Sequence, residues 1–367
     1  MIIRAKTKYL FDYEYLGEEQ RLNTQMNISE LENKETTLKS YPRRLVFELT
    51  NNCNLNCVMC GRNSAKFSAT RFDMDWLPKF SDALSHVEEV TLMGWGEPTV
   101  HPQFADILKY LNNYPVKKYF CTNGMRLDAL HNAIFDYKAD IIAVSVDGAT
   151  PQTNDRIRRG SSLKKITDAI KAIEKEKGER GLSYPYINFV FCAMKSNLHE
   201  LPGVVRLAHE IGIEEVKVVY LTVFDDRMMD ESLWGCEAQV AQVFDEAAKL
   251  GEQLNIKMKL PYVSGYDEAG EKPHRDCFVA WRDFFLGSDG FIRPCMSTPV
   301  KLFSINDYNN FFDMWNSKEF VAFRKTVNDP ENMSIPCRLC YQSSHCNWNK
   351  QHSFIQVGNT FSPDWSK

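Results

Sequence analysis

Between about residues 44 and 221 the chain alternates short β-branched or apolar runs with longer segments of helical period, and no other feature constrains its fold as much. Strand-length runs separated by helix-length runs are the pattern of βα units on a parallel sheet, so the fold class is α/β. Runs at 45–50, 89–93, 117–121, 141–146, 187–192 and 215–220 read as strands. Helices are predicted near 76–86, 102–113, 126–136, 162–178 and 198–211, the last with Asn197 as N-cap before Leu198-His-Glu. Crossovers of this length suit right-handed βαβ connections. In parallel α/β folds active sites collect at the C-terminal ends of the strands, so each motif is tested by where it falls relative to its strand.

Beyond residue 221 the rhythm changes to a helix-like stretch at 237–254, a Pro/Gly-punctuated segment, and a region with five cysteines between 277 and 346. A domain boundary is expected near 255–275. The first 40 residues are polar and mixed and read as an N-terminal extension, followed by a core over 41–255, a second domain over 256–350 and a tail over 351–367. The chain shows no internal repeat or low-complexity tract.

Composition removes several function classes. With 44% hydrophobic and 25% charged residues, 18 Gly and 15 Pro in 367, the chain fits neither a fibrous nor a disordered class. A formal net charge of -4 gives no global field to collect nucleic acid or anionic membrane, and neither is expected as a partner. No stretch approaches a membrane span, and the charged start Met1-Ile-Ile-Arg-Ala-Lys lacks the apolar core of a secretory signal. Eleven cysteines, an odd number, then read as thiols kept reduced in the cytoplasm and available to metal.

Strand one runs into Thr50-Asn-Asn-Cys53-Asn-Leu-Asn-Cys57-Val-Met-Cys60-Gly-Arg62, a CxxxCxxC loop. Three thiolates on a [4Fe–4S] cluster leave one iron open to another ligand. On spacing alone a zinc knuckle short of its fourth ligand, or three thiols merely close together, stay open.

Taken with its place after the first strand of a six-strand βα series, this loop resembles that of the radical S-adenosylmethionine (radical SAM) enzymes. Other strand ends extend the resemblance. Met93-Gly94-Trp95-Gly96-Glu97-Pro98 looks like the family's Gly-Gly-Glu motif, in which open backbone approaches the cosubstrate's methionine amino group and Glu97 accepts from the ammonium. Thr122-Asn123-Gly124 stands where the family has polar contacts to the cosubstrate. Ser145 and Asp147 resemble its ribose-contacting positions, and Arg158, rather than Arg159, the arginine that neutralises the methionine carboxylate. Met59 stands where many members carry an aromatic residue that shields the cluster, and a methionine can do the same. The resemblance covers about 44–221 and implies a partial (β/α)6 TIM-like barrel.

A second set follows. Cys277, Gly290 and Cys295 give C-x12-G-x4-C, and Cys337-Arg-Leu-Cys340-Tyr-Gln-Ser-Ser-His-Cys346 gives CxxCx5C. With Phe311-Phe-Asp-Met-Trp315 and Arg324 between, this resembles the small cysteine-rich SPASM/twitch domain behind some radical SAM barrels, which binds auxiliary iron–sulfur clusters. The full SPASM pattern continues with further cysteines, but Lys350 takes the first of those positions and no cysteine follows Cys346. That departure implies one auxiliary [4Fe–4S] cluster on Cys277, Cys295, Cys337 and Cys340, with Cys346 an alternative ligand or a free thiol; a structural zinc site is the rival. Cys121, Cys192 and Cys236 read as small core residues.

The resemblance implies a radical SAM oxidoreductase that cleaves S-adenosylmethionine to a 5′-deoxyadenosyl radical, draws electrons from a flavodoxin or ferredoxin, and uses the auxiliary cluster as acceptor. Because the 40-residue extension looks short for a leader-binding domain, the expected substrate is a small polar metabolite such as a sugar, aminosugar or aminocyclitol rather than a peptide. The alternatives are a peptide-modifying maturase and a non-catalytic iron–sulfur or zinc protein.

Overall fold

The computed structural model describes residues 15–64, 68–223, 226–261, 263, 276–295, 298 and 300–338. Among these residues the strands are β1 Arg44–Phe47, β2 Glu89–Leu92, β3 Lys117–Thr122, β4 Ile141–Ser145, β5 Tyr186–Ala193, β6 Glu215–Tyr220, β7 Lys257–Lys259, β8 Asp283–Leu286, β9 Phe291–Arg293 and β10 Phe303–Ser304. They form one sheet in the order β10-β9-β8-β1-β2-β3-β4-β5-β6-β7. β1 to β6 are parallel and adjacent in chain order, as the alternation predicts. The sheet also continues on both sides: β7 pairs parallel with β6, and β8 pairs parallel with β1 before β9 and β10 turn back antiparallel.

Helices α1 Glu18–Glu32, α2 Ser81–His86, α3 Phe104–Leu111, α4 His131–Asp136, α5 Pro151–Ile157, α6 Leu163–Glu179, α7 Leu201–Glu210 and α8 Glu237–Gln253 accompany these strands, and the short α9 Val279–Arg282, α10 Phe311–Trp315 and α11 Lys318–Thr326 follow. Odd and even strand positions divide between two cores. Leu45, Phe47, Val90, Leu92, Phe120, Ile142, Val144, Phe189 and Phe191 pack in the main core with helix residues such as Ile107, Ile134, Ile166 and Val204. Met93, Tyr119, Ile141, Ala143 and Tyr186 form a separate cluster on the other face. Burial on both faces is why these strands read as near-continuous apolar runs.

Three local expectations change. The predicted helix at 76–86 begins as a 3₁₀ segment, Met74–Phe80, because Pro78 cannot join an α-helical ladder. The unpredicted α5 is short, but Thr150 accepts from the Thr153 N–H as N-cap and Pro151 follows it, a start signal legible in the sequence. Asn197 is not a side-chain cap. Its Nδ2 donates to the carbonyls of Asp147 and Cys192, each at 3.0 Å, and its Oδ1 accepts from the Met194 N–H, so it braces two strand ends.

The N-terminal extension contains α1, whose amphipathicity is inverted: Gln20, Asn23, Thr24, Asn27 and Glu30 are buried, while Leu22 and Met26 are exposed. The buried amides supply donors that the strand-entry loops lack. Gln20 Nε2 bonds the carbonyls of Val87 and Pro115, Asn23 Nδ2 those of Tyr41 and His86, and Asn27 Nδ2 that of Trp281. Buried carbonyls need partners, and a polar helix face provides them where an apolar one would not.

β8 is locked to β1 by charge. Asp283, 2% exposed, receives Arg282 Nε at 2.7 Å, Arg282 Nη2 at 2.8 Å, Arg44 Nε at 3.0 Å and Arg44 Nη2. Burial alone would raise its pKa, but Arg282 and Arg44 reverse that and hold it well below the usual carboxylate range. Asp283→Asn is expected to lower stability by about 3–5 kcal/mol at neutral pH, since both guanidinium groups lose their buried partner. A depressed folded pKa gives stabilisation that is complete above the unfolded value of about 4 and is lost as pH falls toward the folded value. The gap between wild type and variant in denaturant midpoint should therefore narrow below about pH 4; a gap independent of pH would refute the ionic account.

Candidate active site at the C-terminal edge of the sheet

β1 opens into the loop that carries Cys57, which is buried, and Cys53 and Cys60, which are half-buried. Backbone bonds hold this loop on two sides. Asn56 and Val58 N–H groups donate to the carbonyls of Arg159 and Ile157 at 2.9 Å each, at the end of α5, and Glu97 N–H donates to the Asn52 carbonyl at 2.8 Å. Within the loop, Cys60 N–H reaches the Cys57 carbonyl at 3.1 Å and Asn63 Nδ2 reaches the same oxygen at 2.8 Å. Burial pushes the Cys57 thiol up to about 11; Arg158 opposes that rise, while Cys60, Asp147 and Cys53 add to it. Burial also raises Cys53.

The thiols thus lie in one another's electrostatic field, and iron binding would displace their protons. A cubane spreads its thiolates over separate irons, so the donor set of this loop fits a three-thiolate cluster.

The loop after β2 is built for contact with this one. A Cβ on Gly96 would lie 2.3 Å from both the Thr50 and Asn52 carbonyls, and one on Gly94 2.3 Å from Glu48 Cγ. Both glycines therefore serve protein packing. Half-buried Trp95 donates its N–H to Glu48 Oε1 at 2.7 Å. Glu97, 3% exposed, uses its carboxylate internally: Oε1 accepts from Thr99 N–H at 3.2 Å, Thr99 Oγ1 at 2.6 Å and Thr122 Oγ1 at 2.7 Å, and Oε2 from Asn123 N–H at 2.7 Å. Burial raises its pKa against these donors. An ammonium arriving here meets a carboxylate already bonded to the protein, chiefly through Oε1.

Asn123 joins the two loops, with Nδ2 donating to Asn54 Oδ1 at 2.8 Å and lying 3.8 Å from Cys53 Sγ. Ser145 is half-buried at the end of β4. The residues expected at the ribose and the methionine carboxylate instead bind each other. Asp147 Oδ2 lies 2.6 Å from Arg158 Nε, Asp147 Oδ1 accepts from Cys192 N–H at 2.7 Å, and both charged side chains are buried. Next to the thiol loop, Ile157, Met194, Leu221, Val223 and Met228 form an apolar cluster against which Val58, Met59 and Cys192 pack. Met59, the residue expected to shield the loop, thus has an apolar neighbourhood.

In the C-terminal region, Cys277, Cys295 and Cys337 are half-buried, whereas Cys340 and Cys346 lie outside the described residues. Gly290 of the C-x12-G-x4-C pattern has φ 78° in the turn between β8 and β9, which explains the glycine. Arg324, 3% exposed, donates to the carbonyls of Ala280, Thr36 and Trp315 and stacks over Trp315. It is a packing hub that ties this region to the segment after α1.

Two positioning residues were missed. Glu48 bridges Trp95 N–H to Ser288, whose N–H and Oγ bond its Oε2 at 3.1 and 2.7 Å. The signal was an acid inside an apolar strand run. Asn328 clamps Cys277, accepting its N–H at 2.7 Å and donating to its carbonyl at 3.1 Å; no local pattern marks that pairing.

Comparison with known proteins agrees with this geometry. Residues 47–189 match the family model for the radical SAM superfamily, and residues 277–341 that for SPASM, an iron–sulfur cluster-binding domain. A tungsten-containing aldehyde ferredoxin oxidoreductase cofactor-modifying protein of Pyrococcus furiosus is 24% identical over 343 residues, covering 86% of this chain and 92% of its own. An AdoMet-dependent heme synthase of Methanosarcina barkeri is 24% identical over 341 residues, covering 87% and 94%. A PqqA peptide cyclase of Methylorubrum populi is 26% identical over 321 residues, covering 82% and 77%. In fold, the chain resembles Streptococcus suis SuiB bound to S-adenosylmethionine, with a TM-score of 0.62 at 16% identity over 83% of this chain and 72% of that one.

These matches overturn the expected preference for a small polar metabolite over a peptide. The PqqA peptide cyclase is matched over most of this chain, and SuiB, of the same fold, is also known with its precursor peptide SuiA bound. The short extension misled because leader binding was assumed to need a separate N-terminal domain; in its described part, Gln20 and Asn27 of α1 bond carbonyls at the strand-entry face.

Proposed function

Because this chain belongs to the radical SAM superfamily and carries a C-terminal SPASM domain, we propose that it is a radical SAM enzyme that modifies a peptide by hydrogen-atom abstraction. Its two domains imply a [4Fe–4S] cluster working with S-adenosylmethionine and auxiliary iron–sulfur binding. Cys53, Cys57 and Cys60 would hold the first, and Cys277, Cys295, Cys337 and Cys340 the auxiliary one. When loaded, these sites supply, respectively, the electron that splits S-adenosylmethionine into methionine and a 5′-deoxyadenosyl radical, and an acceptor for an electron given up by the substrate.

The chain's own residues do the positioning. Glu48 and Glu97 hold the loops after β1, β2 and β3 together, and Asn123 tethers the third to the thiol loop. Met59, Met194 and Met228 exclude water from its flank, which protects a radical from stray hydrogen donors. The observation that carries the reading is this joining of the thiol loop, the Gly94–Glu97 loop and Asn123 at one sheet edge; the peptide substrate rests on the likeness to PqqA peptide cyclase. A flavodoxin or ferredoxin would serve as the external reductant.

The test is anaerobic turnover of the reconstituted full chain with reductant, S-adenosylmethionine and short peptides encoded beside its gene. The expected result is 5′-deoxyadenosine formation that depends on one peptide, with that peptide losing the mass of a pair of hydrogen atoms. Formation at the same rate with and without every peptide, and unchanged peptide masses, would refute the peptide reading.

A further inference from the structure

In the radical SAM reading, each turnover starts with an electron delivered to the thiol loop from outside the chain. The loop has an apolar flank and an exposed one. Val58 and Met59 pack against the cluster of Ile157, Met194, Leu221, Val223 and Met228. Asn52, Asn54 and Asn56 are exposed, and Asn54 Oδ1 lies 4.0 Å from Cys53 Sγ. An exposed residue is thus in contact with a thiol that would hold the cluster.

Two segments frame the exposed flank. Residues 156–160, at the end of α5, are tied to it by the bond from Asn56 N–H to the Arg159 carbonyl at 2.9 Å, and a Cβ on Gly160 would lie 3.4 Å from Leu55 Cδ2. Residues 123–128, after β3, are tied to it by Asn123 Nδ2, which donates to Asn54 Oδ1 at 2.8 Å. The two segments meet at the start of α6, where Ser162 N–H donates to Met125 Sδ at 3.2 Å. They carry Arg126, Arg156 and Arg159, all exposed, and none of these side chains bonds or pairs with another described residue. The neighbouring acids are committed elsewhere. Asp128 pairs with Lys165 at 3.3 Å, Asp168 with Lys164, and Asp155 Oδ1 accepts from Ser161 Oγ and Leu163 N–H at 2.9 Å each. Three positive charges without a partner among the described residues therefore stand beside this loop, in a chain whose formal net charge is -4.

Electron tunnelling weakens steeply with distance, so a donor has to seat its redox centre close to the thiol loop. A positive rim selects a donor of opposite charge and speeds the encounter. We propose that this exposed flank, with Arg126, Arg156 and Arg159 beside it, is the docking surface for a small acidic protein that carries single electrons. This rests on the radical SAM reading above. The patch borders the backbone of the thiol loop itself, Asn52 to Asn56, which favours an electron carrier over a peptide substrate. In the docked pair one electron leaves the carrier, which is oxidised by one unit, and enters the cluster, which is reduced by one; no proton or atom changes hands.

The full chain, reconstituted anaerobically with iron and sulfide, is prepared as wild type, as a neutralised variant (Arg126→Gln, Arg156→Gln and Arg159→Gln together) and as a charge-retaining variant (Arg126→Lys, Arg156→Lys and Arg159→Lys together). Iron content is measured for each. Affinity for oxidised flavodoxin, an acidic carrier, is read by calorimetry. The rate of cluster reduction is read with reduced flavodoxin and with reduced methyl viologen, a small cation. At low salt the neutralised variant is expected to bind flavodoxin and to be reduced by it about tenfold or more weakly and slowly than wild type, with iron unchanged. The charge-retaining variant should stay within about threefold of wild type, and the gap between wild type and the neutralised variant should close as salt is raised. Methyl viologen should reduce all three alike. Unchanged affinity and rate with flavodoxin in the neutralised variant would overturn the proposal, as would a wild type that methyl viologen reduces and flavodoxin does not. Lost iron, or equal slowing with both reductants, would overturn it by making the arginines part of the loop's structure. Weakened binding of the substrate peptide with flavodoxin unaffected would overturn it in favour of the peptide. A wild type that holds no iron, or iron that neither reductant reduces, would instead defeat the radical SAM reading, and the proposal with it.

Discussion

Alanine at Cys53, Cys57 and Cys60 together is expected to lower the iron of the anaerobically reconstituted chain from about eight atoms to about four and to abolish 5′-deoxyadenosine formation. The three thiols sit on a loop fixed by backbone bonds to α5 and to the loop after β2, and those bonds do not involve the sulfur atoms. The variant should therefore keep the fold while losing one binding site. The C-terminal cysteines lie on other segments, so their iron should survive. A wild type with about four irons and one zinc would make the C-terminal site structural and remove its role as electron acceptor. Equal iron in both proteins would mean that the loop binds no cluster.

Asp147→Ala is the second large effect, expected to lower stability by about 3–5 kcal/mol in chemical denaturation. It leaves Arg158 buried without its partner and the Cys192 N–H without its acceptor. The damage should spread to the thiol loop, since Asn56 and Val58 bond the carbonyls of Arg159 and Ile157 on either side of Arg158. Asp147→Asn keeps an oxygen for the N–H but not the charge, and should fall between. If Asp147 served only to bind ribose, both variants would be as stable as wild type and would differ from it only in the presence of S-adenosylmethionine.

The sheet was legible because its strands are buried on both faces. Ile141-Ile-Ala-Val-Ser145 and Tyr186–Ala193 read as apolar runs in any context, and the helices between them carry one apolar stripe each. α1 was not legible for the opposite reason: Gln20, Asn23 and Asn27 point inward to meet carbonyls of residues distant in the chain, so its burial has no hydrophobic period. The pairing of β8 with β1 was hidden as well, since Arg44 and Asp283 are far apart in sequence and neither marks the other.

The site divides in the same way. Spacing offered Cys53, Cys57 and Cys60 as one thiol set with zinc still open, and the resemblance to radical SAM enzymes, read at successive strand ends, singled out Gly94 to Glu97, Thr122, Asn123, Asp147 and Arg158. Only the tertiary structure decided what each polar group bonds: Glu97 to Thr99, Thr122 and Asn123, and Asp147 to Arg158. The physical reason is that periodicity and spacing record which face of an element is turned inward, whereas the partner of a buried charge is chosen by desolvation and distance among segments that the sequence does not show to be neighbours.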